Sequence, residues 1–304
     1  MNNNLGYACI NMTLGKKGIL TGRAMRKATL ESKGLQYASE LALQNAKDLK
    51  TILEWNVKHN IRLFRIGSDL FPWGNKIDIK QLPDYNEIVK ILNDCGSYAK
   101  TNNIRLTTHP GPFNLLASEK EEVVHNTLLD LEMHSTLFDL LQLEESPYNK
   151  INIHIGAAYG NKEIALMRWK NNFKRLSPTC QKRLTIENDD KESMYSVKEL
   201  YDNVYQSIGV PIVFDIHHHN FNTGDMTHKE AMSLAASTWP KNIKPIVHYS
   251  ESKALHENNS KIKLQAHSDY ISDIINTHDL DVEVMIEAKA KELALLQYRE
   301  KYNL

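Results

Sequence analysis

Residues 184–190 read LTIENDD and residues 212–220 read IVFDIHHHN. Each is a short β-prone run that closes on a carboxylate, Glu187 in the first and Asp215 in the second. Short β-rich runs of this kind read as strands. The same unit repeats along the chain, at Gly6–Ile10, Arg62–Ile66, Ile104–Thr108, Ile151–Ile155, Leu184–Glu187, Ile212–Ile216, Ile246–Tyr249 and Val282–Glu287. Most of these runs are separated by segments with helical spacing. Leu35, Leu41, Leu49, Ile52 and Leu53 share one such stretch with Ala38, Ala42 and Ala46, and Leu128, Leu131, Leu137, Phe138 and Leu141 mark another.

Strands alternating with helices predict parallel βα units. Eight units in 304 residues is the arithmetic of a (β/α)₈ TIM barrel. A doubly wound open sheet competes, but that fold favours a Gly-rich phosphate turn after its first strand, and none follows Ile10. No Pro/Gly/Ser-rich linker divides the chain, so residues 1–304 are read as one domain, closed by a helix over Lys289–Tyr302.

Composition narrows the class. Apolar residues are 41% and charged residues 24%, which excludes disordered and collagen-like chains. Cys9, Cys95 and Cys180 are far apart and form no CxxC, which argues against a disulfide scaffold or zinc finger and fits a cytoplasmic location. Residues 1–4 are polar, without the basic and apolar regions of a signal peptide, and no apolar run is long enough to span a membrane. Nothing indicates an obligate oligomer, so a monomer is expected. Formal charge is zero, with 37 cationic and 37 anionic residues, yet it is unevenly spread. Residues 13–33 and 168–183 are basic, whereas residues 119–145 are acidic. These segments read either as solvated faces or as a polyanion grip with an acidic side turned away.

The chemistry lies at the C-terminal ends of the strands. His109, His154, Glu187, Asp215, His248 and Glu287 each end one of six successive runs, and His217, His218 and His219 lie just beyond Asp215. In a parallel barrel these ends meet at one rim, where barrel active sites form. One strand-end His is most often a hydrogen-bonded structural residue, and a single Glu or Asp there can be a cap or turn former. Six at one rim point to a metal site. Divalent Mn, Zn or Fe accepts imidazole and carboxylate together, and bridging carboxylates support in-line displacement at phosphorus. Glu187, Asp215 and Glu287 suit bridging, and His109, His154, His218, His248 and His267 suit terminal ligation. Alternation beyond Asp215 would instead favour His217 and His219, on a segment that has already left its strand.

With these residues placed, the chain resembles the UV damage endonuclease family along nearly its whole length. GYACINMTL with TGRAMRKATL, FRIGSDLFP, HPGPF, NIHIGAAYGNK, LTIENDD, FDIHHHN, QAHSDYI and MIEAKAKELALL carry the likeness in order and spacing. The resemblance implies a TIM barrel with two or three divalent ions, typically manganese. It implies incision of damaged double-stranded DNA immediately 5′ of cyclobutane dimers and 6–4 photoproducts, leaving 3′-hydroxyl and 5′-phosphate ends. By motif, the implied ligands are His109, His154, Glu187, Asp215, His218, His248, His267 and Glu287, with Glu187, Glu287 and Asp215 at the chemistry. Tyr7 and Asn11 match positions near the metals and the scissile strand. Pro112 and Phe113 stand where the family has Gln-Tyr to probe the duplex. Arg23, Arg26, Lys27 and Arg65 are expected to grip phosphates.

Two further departures are visible. Ile246 stands where the family often has a lysine, with Lys244 two residues earlier, and the segment from His248 to His267 is longer than usual. Three other activities fit a rim of this kind: an abasic-site endonuclease, a metal-dependent sugar isomerase, and a lesion-binding protein without catalysis.

Overall fold

A computed structural model describes residues 5–304; the polar start at 1–4 lies outside them. The strands are β1 Leu5–Ala8, β2 Leu63–Ile66, β3 Arg105–Thr108, β4 Ile151–Ile153, β5 Leu184–Glu187, β6 Ile212–Asp215, β7 Ile246–Tyr249 and β8 Glu283–Ile286. All neighbours are parallel, and β8 pairs with β1 to close the barrel. The expected (β/α)₈ TIM barrel is the observed fold. Among the described residues, no helix is long and apolar enough to cross a membrane.

Period-two alternation sorts the strand side chains into two apolar clusters. One face of the strands, including Phe64, Leu106, Ile153, Ile186, Phe214, Val247 and Ile286, packs in the main core shared with the helices. The other face supplies Ala8, Leu63, Val213, Ile246 and Met285 to a smaller cluster with Trp239 and Ile243. Gly6 is required by the approach of β2, since a Cβ there would sit 2.4 Å from the Leu63 carbonyl oxygen. Gly96 lets the helix Tyr85–Thr101 pass the Leu141 carbonyl, which a Cβ would meet at 1.7 Å.

Four strands, β1, β4, β6 and β8, end earlier than the sequence suggests, and for β1 and β6 the local reason is visible. β1 stops at Ala8 because Cys9 takes a left-handed φ of 68°. β4 stops at Ile153, one residue before His154. β6 stops at Asp215 because that carboxylate caps a one-turn helix, Ile216–His219, by accepting from the His218 amide. The closing helix starts at Glu292, whose carboxylate accepts from the Met12 and Thr13 amides and ties the chain's end to the loop after β1.

The foot of the barrel is sealed by charge. Arg105, 1% exposed, pairs with Glu283 at 2.5 Å and donates to the carbonyls of Tyr148 and Lys244 at 2.6 Å. Its guanidinium also lies over the rings of Tyr148 and Trp239. Lys244 belongs to this end and pairs with the exposed Asp281 at 2.7 Å.

Candidate metal centre

The centre is built by the last inward residue of successive strands or the one just past it. Glu187, 1% exposed, stands in the middle. Its Oε2 lies 3.2 Å from His109 Nε2 and 3.0 Å from His248 Nδ1. Its Oε1 lies 3.5 Å from His218 Nδ1 and 3.8 Å from His154 Nε2. Glu287 reaches His248 Nδ1 at 3.1 Å. Asp215 Oδ2 lies 3.9 Å from His218 Nδ1, and His267 Nδ1 lies 4.0 Å from Glu287 Oε2. The structure thus places all eight residues proposed as ligands around one mouth.

The three consecutive histidines separate in direction. His218 turns inward, where its Nδ1 also meets the Asn188 carbonyl at 2.9 Å. His217 Nε2 bonds the Gln265 carbonyl at 3.1 Å, and His219 packs edge-on against Phe214. Strand alternation fails here because the residues are helical. In a helix, i and i+3 share a face, so Asp215 and His218 come together.

Several inner partners escaped the sequence reading. Asn152 donates to Glu187 and accepts from Thr185 at 2.8 Å. Asp189 Oδ1 lies 3.2 Å from His154 Nδ1. Lys150 is fully buried, with Nζ 3.2 Å from His248 Nε2. The signal for two of these was present: Lys150, Asn152 and His154 alternate on one face of β4.

Electrostatics set the states. Burial works to raise Glu187, but the imidazoles of His248 and His154 hold it well below the carboxylate range. Burial likewise opposes ionisation of Glu287, and the Arg65 guanidinium overcomes it and lowers that pKa. Asp215 goes the other way: burial, opposed by His218 and aided by Glu187 and Glu287, pushes it up to about 7. Burial drives His248 down to about 3, while Glu187 and Asp189 outweigh burial at His154 and lift it to about 10. Burial and then Arg65 hold Lys150 well below the ordinary lysine value.

The donor set fits divalent ions. His109, His154 and Glu187 offer donor atoms within 4.8 Å of one another, and so do Glu187, Asp215 and His248. Asp215 Oδ2 is buried with no hydrogen-bond donor, a state that costs free energy unless something cationic meets it. Mixed imidazole and carboxylate donors suit Mn, Zn or Fe(II).

The residues expected to meet DNA divide sharply. Arg26, Lys27, Pro112 and Phe113 are exposed, Phe113 at 87%. The other four are engaged within the protein. Tyr7 is fully buried and donates to Asn56 Oδ1 at 2.8 Å; Asn11, 1% exposed, donates to the Tyr7 hydroxyl and caps the turn Met12–Gly15. Arg23 pairs with Asp48 at 2.7 Å and donates to the Leu20 and Gly18 carbonyls, so it braces its own loop. Arg65 is buried against Glu287 and 3.3 Å from His248 Nε2, at the centre itself.

Comparison with known proteins gives a consistent set of likenesses. The family described as UV-endonuclease UvdE matches residues 3–303. The UV DNA damage endonuclease of Clostridium perfringens (strain 13 / Type A) is 33% identical over 302 residues, covering 96% of this chain and 69% of that protein. The UV-damage endonuclease of Schizosaccharomyces pombe is 35% identical over 311 residues, covering 99% of this chain and 51% of that protein, so this chain spans about half its length. The crystal structure of SacUVDE is 30% identical with a TM-score of 0.85 and 99% coverage of both chains. Endonuclease IV from Thermus thermophilus is 12% identical with a TM-score of 0.53, covering 79% of this chain and 87% of that one, a likeness of fold alone.

Proposed function

This chain belongs to the UV-endonuclease UvdE family, and from that premise we propose that it cuts the DNA backbone immediately 5′ of UV photoproducts, leaving 3′-hydroxyl and 5′-phosphate ends. Membership makes it an endonuclease. Its substrate is UV-damaged double-stranded DNA, with cyclobutane dimers and 6–4 photoproducts as the lesions.

The observation that carries the reading is the setting of Glu187, a buried carboxylate with imidazoles from four different strand ends around its two oxygens. Glu187, Asp215 and Glu287 form an anionic centre that by itself would repel a phosphodiester. We assign two or three divalent ions, manganese foremost, to Glu187, Asp215 and Glu287 as shared ligands and to His109, His154, His218, His248 and His267 as terminal ones. Bound there, they would supply the charge that acidifies a water and offsets the charge growing on phosphorus.

The chain's own groups do the rest. Arg65 and Lys150 flank His248 and fix its ring from beneath. Asn152 orients Glu187, as an outer partner orients a ligand. Phe113 is exposed, ready to stack on a base, and the exposed Arg26 and Lys27, the latter paired with Glu31 at 3.7 Å, offer charge to phosphates. Lesions would be selected because a damaged step costs less to kink and unstack.

The test is nicking of supercoiled plasmid with Mn²⁺, using UV-irradiated, abasic and undamaged substrates and Glu187→Gln as control. Cutting of irradiated plasmid alone, lost in the variant, is expected. Cutting of abasic plasmid alone would move the substrate to abasic sites. No cutting by metal-loaded protein would overturn the nuclease reading.

A further inference from the structure

Phe113 rides on a turn whose last residue is held from outside. The Asn114 amide and its side-chain Nδ2 both donate to the Gly111 carbonyl, at 3.2 and 3.1 Å. Pro112 and Phe113 are therefore the two central residues of a β-turn, and Pro112 fixes its first φ. The same Asn114 Nδ2 donates to Asp130 Oδ2 at 2.8 Å. Asp130 lies in the middle of the helix Glu121–Leu140.

One face of that helix serves the loops after β2 and β3 together. Asp130 Oδ1 accepts from Asn75 Nδ2, in the loop after β2, at 2.9 Å. Thr127, three residues before Asp130 and on the same face, accepts from the Leu115 amide at 2.9 Å. Thr127 and Asp130 thus hold Leu115 and Asn114 in succession. Met133, three residues after Asp130, lies against Gly74, where a Cβ would stand 2.8 Å from its Sδ. Between the two loops and this face lies a cavity of about 510 Å³, lined by Trp73, Phe113, Asp130 and Met133 among others. The gap gives the turn little apolar backing, and the Asp130 carboxylate spans it.

We propose that Asp130 is a positioning residue for damage recognition. By holding Asn114 and Asn75 on one carboxylate, it sets where the Phe113 ring meets the duplex relative to the metal centre. A carboxylate has an oxygen for each amide, whereas an amide in its place has one acceptor oxygen for the two donors. Stacking has value only where the ring face meets a base face. A turn free to swing would spread the ring over several base steps and lose the distinction between a damaged step and a sound one. The inference rests on the endonuclease reading and on Phe113 as the residue that meets the bases, and it adds what aims that residue.

The test uses the full Mn²⁺-loaded chain with a duplex carrying one cyclobutane dimer and the same duplex undamaged. Affinity for both is measured for the wild type, Asp130→Ala, Phe113→Ala and the double variant. Asp130→Ala is expected to lower the preference for the damaged duplex about tenfold, with metal content unchanged. In that background Phe113→Ala should add about twofold at most, because the ring is already misplaced. Losses that multiply independently would mean that Asp130 serves the fold alone, and they overturn the proposal. Asn114→Ala cuts the same tether from the loop side and leaves the helix intact, so it should reproduce the loss. A wild-type preference in that variant also overturns the proposal. A Phe113→Ala chain that still prefers damaged DNA as the wild type does removes the ring's role and the proposal with it, while the endonuclease reading stands. A wild type that neither binds nor cuts the dimer duplex overturns both.

Discussion

The two ends of the barrel use the same kinds of residue in opposite ways. At the foot, Arg105 and Glu283 form a closed set: the guanidinium meets one carboxylate, three carbonyls and two aromatic faces. At the mouth, Glu187, Asp215 and Glu287 crowd together, Asp215 Oδ2 has no donor, and Asp215 holds its proton up to about 7. The apolar layer of Ala8, Leu63, Val213, Ile246 and Met285 belongs to the barrel interior between these extremes. A saturated charge cluster serves the fold, and one left incomplete is open to a ligand.

That contrast can be broken from either end. Glu187→Gln should cost on the order of a thousandfold or more in nicking of irradiated plasmid, because it removes the carboxylate all four imidazoles face. Glu283→Gln should do the reverse. It leaves a buried Arg105 without its counter-charge, so thermal unfolding should show a loss of about 3 kcal/mol, with activity per folded molecule retained.

Smaller effects sharpen the picture at the rim. Phe113→Ala should weaken lesion-duplex affinity by about 1–3 kcal/mol in a binding titration. Melting should not move, since the ring is 87% exposed. Acidity gives the next effect. Asp215 is protonated below about 7 in the metal-free chain and must lose that proton to ligate. Mn²⁺ affinity by calorimetry should therefore rise at least tenfold between about pH 6 and about pH 8, since His154, lifted to about 10, must also lose a proton to ligate. The sign for the fold is opposite: a raised carboxylate stabilises the metal-free chain fully below the ordinary Asp value, and that stabilisation is lost as pH rises through about 7. The smallest effect is Arg26→Gln, which should reduce the salt slope of DNA binding by about 0.9. Arg23→Gln should leave that slope in place and loosen its loop instead, because Asp48 and two carbonyls already hold the side chain.

The barrel was legible because parallel strands buried on both faces read as short apolar runs, and because each of six runs delivers one His, Asp or Glu to its end. What was not legible depended on depth. Lys150 looks like an ordinary cation before a strand until the closed barrel aims it across the interior at His248. Arg65 reads as a surface arginine in FRIGSDLFP, yet its register on β2 turns it toward Glu287. Tyr7 and Asn11 lie near the mouth in sequence terms, but their polar atoms answer one another and Asn56. Charge patterns mark surfaces only when the fold leaves those charges outside.

The capped turn Ile216–His219 sets an angle. Each residue of a helix advances the side chain by about 100°, so the three adjacent imidazoles are spread around a circle while sharing one short peptide. Only the middle ring points at the centre. Adding or deleting one residue between Asp215 and His218 would leave every strand in register and rotate a neighbouring ring into or out of the mouth. The phase of a single helical turn thus decides which of three chemically identical side chains can serve as a ligand.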